Sequence, residues 1–257
     1  EEALNAINRS YKFYQRYQDF SLGKVKVKKS IKSLGTKSSM LNEMESKSIL
    51  NKIGLFIPNF FNERHYSKNY KQTEEFSLKF PVCLKMLSNK VQHKTDIGAI
   101  DLNIKNYQEL LASYRKIKKQ VEKNKESFSN NFLVEEMQPE PLGELLVGIF
   151  YDLQFGYVMT LASGGILANL IEDSVTILLP TSVDELDKSL SKLKINKLFQ
   201  GYRGKKEINR KLLLGNLKKL TDFALDKSNN VQQIEINPLF VYPEKNIAVD
   251  GIIWKNE

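Results

Sequence analysis

The chain has 257 residues, 41% of them hydrophobic, with a net charge of +9 at neutral pH. That length supports a substantial core in one large domain or two lobes, no apolar run is long enough to span a bilayer, and a lone cysteine, Cys83, excludes an internal disulfide framework. The lysines are scattered over helix faces, densest from Lys24 to Lys37, and no cluster interleaves arginines with exposed aromatics as stacking surfaces would; a solvated surface explains them and no nucleic-acid partner is expected. The N-terminal EEALNAINRSYKFY lacks an export pattern, so a reducing, cytoplasmic setting is expected.

Residues 3–18 read as a short helix, followed by a Lys/Ser/Gly-rich connector over 19–40. Residues 42–53 read as a helix opened by a capping box, with Asn42 as cap and Glu45 three residues on. Its expected apolar face is Met44, Ile49, Leu50 and Ile53, and Gly54 ends it. A strand is expected at about 82–87. A helix follows from Asn106 and Glu109, with Leu110, Leu111, Tyr114, Ile117 and Val121 at helical spacing. Strands are expected at about 132–137, 144–151 and 156–162, broken by Gly164–Gly165. Ser182 and Glu185 open another helix, a longer one covers about 207–226, and the chain closes in a hairpin. The pattern is α+β or mixed α/β with more than one lobe.

The hairpin is the most informative element. Glu235 and Asn237 share a strand face. With residues 243–246 taken as the turn, Tyr242 faces Ile247 and Leu239 faces Asp250. Asp250 then lies one diagonal step from Asn237, about 7–8 Å away by Cα. Oxygen donors so grouped suit Mg²⁺; a solvated polar face is the plainer reading. Lys85, inside the apolar run VCLKML, either meets an anion or reaches out of the pleat, because an unpaired buried ammonium is costly. His93, in the polar loop VQHKTDIGAI, is either solvated or a phosphoryl acceptor. Gly164–Gly165 either form a turn or let backbone N–H groups approach phosphate. Glu144 either bonds a ribose hydroxyl or is merely exposed.

In order, FPVCLKMLSNKVQHKTDIGAI, FLVEEMQPEPLGELLVGIFYDLQFGYVM, SGGILANLIED, LFQGYRG and IEINPLFVY…IAVDG resemble the ATP-grasp part of ADP-forming acyl-CoA synthetases, relatives of the succinyl-CoA synthetase beta subunit. The resemblance runs from about residue 40 to 254. Residues 1–18 also resemble the end of a CoA-ligase module, so 1–39 is expected to be the tail of that module with its linker, and 40–257 the ATP-grasp domain. Its smaller lobe would cover roughly 58–137, and its larger lobe 40–57 plus 138–257.

The resemblance implies ATP or ADP clasped between two lobes. Lys85 would hold phosphate oxygens, backbone groups around Glu135, Glu136 and Met137 the adenine, and Glu144 the ribose. Asn237 and Asp250 would hold Mg²⁺, with Glu235 a neighbour. His93 matches the histidine that relays a phosphoryl group toward the acyl-CoA site, and Arg203 would contact that phosphoryl group. Gly164 and Gly165 fall in the glycine motif. The implied partners are CoA-binding or CoA-ligase modules of the same chain or another subunit, with CoA and a carboxylic acid as substrates, no membrane, and a homo-oligomer as one arrangement. The sequence departs from the family pattern at Ala162, Asn169, Ile177 and Asn209, and Ala99 stands where a second glycine is usual. These departures motivate the alternative of a regulatory ATP-grasp domain that binds nucleotide or acyl-CoA without turnover.

Overall fold

The computed structural model describes residues 38–63, 78–91, 94–122, 129–164, 173–202 and 204–256. His93, Gly165, Asn169 and Arg203 lie outside them, as does the whole of the expected helix 3–18.

Two antiparallel sheets organise the described residues. The larger has seven strands: β1 (Ser38–Met40), β6 (Gly143–Asp152), β7 (Gly156–Ser163), β8 (Ser174–Leu178), β9 (Val231–Val241), β10 (Asn246–Ala248) and β11 (Gly251–Asn256). Their order is β1-β11-β9-β6-β7-β8, with β10 added to β9. The smaller has four: β2 (Phe60–Glu63), β3 (Val82–Met86), β4 (Ile100–Ile104) and β5 (Phe132–Glu136), in the order β2-β5-β3-β4. The helices are α1 (Glu43–Ile53), α2 (Tyr107–Val121), α3 (Val183–Leu190), α4 (Asn196–Phe199) and α5 (Arg210–Leu225).

Period-2 burial shows how each sheet is used. In β6, Leu145, Val147 and Ile149 are fully buried while Leu146 and Gly148 between them are half-buried. α5 packs on the flanking strands β9 and β7, and its Leu213, Leu217 and Leu220 are also fully buried; each such leucine contributes about 2 kcal/mol. The small sheet buries Val82, Leu84, Met86, Phe132 and Val134 against Leu110, Ile117 and Val121 of α2. Tyr114 meets Phe132 edge-on there, 4.9 Å between ring centroids. Each sheet is thus closed on one face by helix. The second face of the large sheet carries Glu144, Leu146, Gly148 and Glu235.

α1 joins the two halves of this plan. Its N-terminus has the expected capping box, Asn42 accepting from Glu45 N at 3.0 Å while the Glu45 carboxylate takes Asn42 N at 2.9 Å. Gly54 closes its C-terminus in a left-handed conformation, φ 104°. The buried stripe, however, is Glu43, Ser46, Lys47 and Leu50, whereas Met44, Ile49 and Ile53 are only half-buried. The helix therefore turns a charged face inward. It is pinned there by Ile253 N donating to Ser46 Oγ at 3.1 Å and by Leu41 N donating to Ile253 O at 2.9 Å. At its other end Asn216 Nδ2 donates to Gly54 O at 3.0 Å, and Asn246 Nδ2 to Asn216 Oδ1 at 2.8 Å.

The hairpin register differs from the expected one. Tyr242 N donates to Lys245 O at 2.9 Å, so the turn is 242–245, and Ile247 pairs with Phe240 instead of Tyr242. Pairing shifts by two residues, and alternation along β9 breaks between Ile236 and Leu239, both buried, with Asn237 exposed between them.

Candidate nucleotide site

The shifted register sets Asp250 directly across from Asn237, whose N–H donates to Asp250 O at 3.0 Å. Glu235, two residues back on the same face, pairs with Ile252. Asn237 is exposed and Glu235 half-buried. Asp250 Oδ1 is buried and has no hydrogen-bond partner. Burial pushes the Asp250 carboxyl up, and the Glu43 carboxylate pushes it further in the same direction, against the pull of Lys85, Lys94 and Lys47. A buried carboxylate oxygen without a partner, opposite an exposed amide, fits a small divalent cation. No group of three His, Cys, Asp or Glu side chains suited to a metal occurs among the described residues, so any ion here would rely on phosphate oxygens and water to complete its shell.

Beside this pair lies a buried network of charge. Lys85, on β3, is 3% exposed. It pairs with Glu43 Oε1 at 2.6 Å and Glu135 Oε2 at 2.9 Å, and donates to Val249 O at 3.1 Å. Its ammonium thus faces three oxygens. Lys47 pairs with Glu43 Oε1 at 2.8 Å and donates to Glu135 Oε1. Lys94 Nζ stands 2.9 Å from Glu43 Oε2, yet neither atom meets hydrogen-bond angles; the contact is one of charge alone. Lys47, Lys85 and Lys94 are balanced by Glu43, Glu135 and Asp250, which is how such burial becomes tolerable. Burial alone would push Glu43 up, but Lys47, Lys85 and Lys94 overcome it and hold the carboxyl well below its ordinary range. Burial alone would pull Lys85 down, but Glu135, Glu43 and Asp250 hold it well above its ordinary value.

The lysine on β3 therefore meets anions, the first of the two readings of VCLKML, but these anions are carboxylates of the protein itself. Glu43 and Lys47 were not singled out by motif. Their signal was the Glu–Lys pair at i and i+4 on the stripe that also carries Leu50.

The structure places the other expected positions as follows. The Glu136 and Met137 amides are engaged within the protein, donating to Asn59 O at 3.0 Å and Pro81 O at 2.9 Å. Bonding along β5 runs one residue past its end. The Glu136 carboxylate accepts from Lys79 N and Asn59 Nδ2, each at 2.9 Å, and the Glu135 side chain enters the charge network. Gly164 N donates to Glu144 O at 2.7 Å, and a Cβ on Gly164 would stand 3.0 Å from Leu145 C. A close approach to β6 explains this glycine. Glu144, the second residue of β6, is half-buried, and burial pushes its carboxyl up.

Three departures also acquire physical reasons. Ile177 pairs with Met159 and is 3% exposed, a core position. Ala99 is fully buried in the small-sheet core. Asn209 caps α5, accepting from Leu212 N at 3.0 Å.

The ATP-grasp domain family matches residues 32–254. The chain belongs to that family. Its ATP-grasp fold is 25% identical to a dinucleotide-forming acetyl-coenzyme A synthetase 1 of Ca. Korarchaeum cryptofilum in complex with coenzyme A, Ca-AMPCP and HgCl+. That likeness has a TM-score of 0.73 and covers 85% of this chain and 94% of the other. The acetate–CoA ligase [ADP-forming] I subunit beta of Pyrococcus furiosus is 29% identical over 227 residues, 88% of this ATP-grasp chain and 96% of the relative. The 4-hydroxybutyrate–CoA ligase [ADP-forming] of Nitrosopumilus maritimus is 28% identical over 224 residues, but this ATP-grasp chain spans only 32% of that relative. No helix among the described residues is long and apolar enough to cross a membrane.

Proposed function

We propose that this chain is the nucleotide-binding module of an ADP-forming acyl-CoA synthetase. With CoA-binding modules of the same chain or a partner subunit, it interconverts acid, CoA and ATP with acyl-CoA, ADP and phosphate. The observation that carries the reading is Asp250 opposite Asn237, with the unpartnered Oδ1 of Asp250 beside Lys85 and its network. The Pyrococcus furiosus beta subunit, matched over nearly its whole length, supports it.

Asn237 and Asp250, with Glu235 as neighbour, would hold Mg²⁺, which supplies charge neutralisation on the nucleotide phosphates. Lys85 binds phosphate oxygens, Glu144 the ribose, and the two sheets serve as the two lobes. His93 takes the terminal phosphoryl group: a P–N bond to its imidazole forms as the bond from that phosphorus to the bridging oxygen breaks, leaving ADP. Arg203 offsets the charge on the moving group.

The second reading is a regulatory ATP-grasp domain that binds nucleotide without turnover. One observation favours it. On its less buried face β8 presents Ser174, Thr176 and Leu178, and no cation.

Incubation with ATP labelled at the γ-phosphate separates the readings. The ligase reading expects acid-labile label that disappears in His93→Ala. Nucleotide binding with no label, even after the CoA-ligase modules are supplied, supports the regulatory domain. Absence of nucleotide binding contradicts both.

A further inference from the structure

Among the described residues, Glu43 gathers charge in an unusual way. It is fully buried on α1, and its one carboxylate meets three ammonium groups, Lys47, Lys85 and Lys94, at 2.8, 2.6 and 2.9 Å. These come from three elements: α1 itself, β3, and the turn that follows His93 in sequence. A single carboxylate collecting three lysines behaves as the anion around which they are arranged. A phosphate carries more charge and more acceptor oxygens, and would take the same cations.

We propose that Glu43 is a positioning residue that stands in for the nucleotide's phosphates, holding Lys85 and Lys94 in place and yielding them when a phosphate arrives. The proposal rests on the nucleotide-binding reading above. The geometry shows how the exchange could proceed. Lys94 and Glu43 Oε2 are in charge contact but make no hydrogen bond, so turning Lys94 toward a phosphate breaks no directed bond. Lys47 is one helical turn from Glu43 and also bonded to Glu135, so Glu43 keeps a cation after releasing the others. Ala99 N donates to Lys94 O at 2.8 Å and Met86 N to Ala99 O at 2.9 Å, which ties the backbone of Lys94 to the end of β3. The lysine head can therefore swing while its backbone stays fixed.

Calorimetric titration of the full chain with MgADP, wild type against Glu43→Gln, tests this. Removing a competing anion while keeping its shape should tighten MgADP binding by about tenfold, the scale of one charge-assisted hydrogen bond. Bound MgADP should also raise the Tm of the variant more than that of wild type. A folded Glu43→Gln protein with equal or weaker affinity overturns the proposal. Where that variant does not fold, Glu135→Gln decides, because it removes a carboxylate from the same Lys85 and must shift affinity the same way. A protein that tolerates neither change also contradicts the proposal, which requires these carboxylates to be dispensable to lysines that have found a phosphate. Failure of wild type to bind MgADP at all would instead sink the nucleotide-binding reading.

Discussion

Glu43 Oε1 and Lys47 Nζ, one turn apart on α1, pair at 2.8 Å with both side chains fully buried. A surface pair at this spacing contributes a few tenths of a kcal/mol. Here Lys47 also neutralises Glu135, and its loss leaves two buried carboxylates sharing Lys85 and Lys94. Lys47→Met should therefore destabilise the fold by about 3 kcal/mol. Urea unfolding at pH 7 measures it, and a change below about 0.5 kcal/mol would show that the network holds no such penalty.

The network also sets how stability depends on pH. Glu43 titrates lower in the folded chain than its ordinary 4.5. Its contribution is present above that value and is lost as pH falls through the depressed folded value. Lys85 titrates above its ordinary 10.5, so its contribution is present below that value and is lost as pH rises through the raised one. A broad plateau between these limits is expected, with a fall on the acid side that Glu43→Gln flattens. An unchanged acid limb in the variant would place the acid sensitivity elsewhere.

Cys83 is buried beside the network, and burial pushes its thiol up to about 11, with Lys85 pulling the other way and Glu135 adding to the rise. The thiolate is the reactive form. The native protein should resist iodoacetamide at pH 8 and react only on unfolding in urea. Rapid alkylation of the folded chain would mean that this side of the small sheet opens readily.

Gly98 sits at φ +62° in the turn that carries Lys94, and a Cβ there would stand 2.2 Å from Gln120 Nε2. The left-handed backbone alone costs an L-residue about 1–2 kcal/mol. Gly98→Ala should lower stability by that amount, and His93 labelling should fall with it because the adjoining turn shifts. Full stability in thermal melts would contradict this account of the turn.

Much of the plan could be read locally. Asn42 with Glu45, the spacing from Leu110 to Val121, and the alternation in ELLVGIFY each depend on neighbours a few residues away, and each element formed where expected. The hairpin register slipped by two because the turn closes at Tyr242 and Lys245, a choice that alternation of polarity leaves open. The charged face of α1 was missed for another reason. Lys47 and Glu135 are 88 residues apart, and no periodic pattern reports that a polar stripe will be buried against a second sheet. Site residues such as Glu136 and Met137 were placed by motif, and their amides proved to be engaged along the strand.

The central claim is that Asp250 and Asn237 hold the metal of a metal–nucleotide complex. Calorimetry of ADP binding, with and without Mg²⁺, on wild type and Asp250→Asn tests it most directly. The account predicts one site in wild type whose affinity depends on Mg²⁺. In the variant that dependence on Mg²⁺ should be lost. Mg²⁺-dependent binding that survives Asp250→Asn intact would contradict the account.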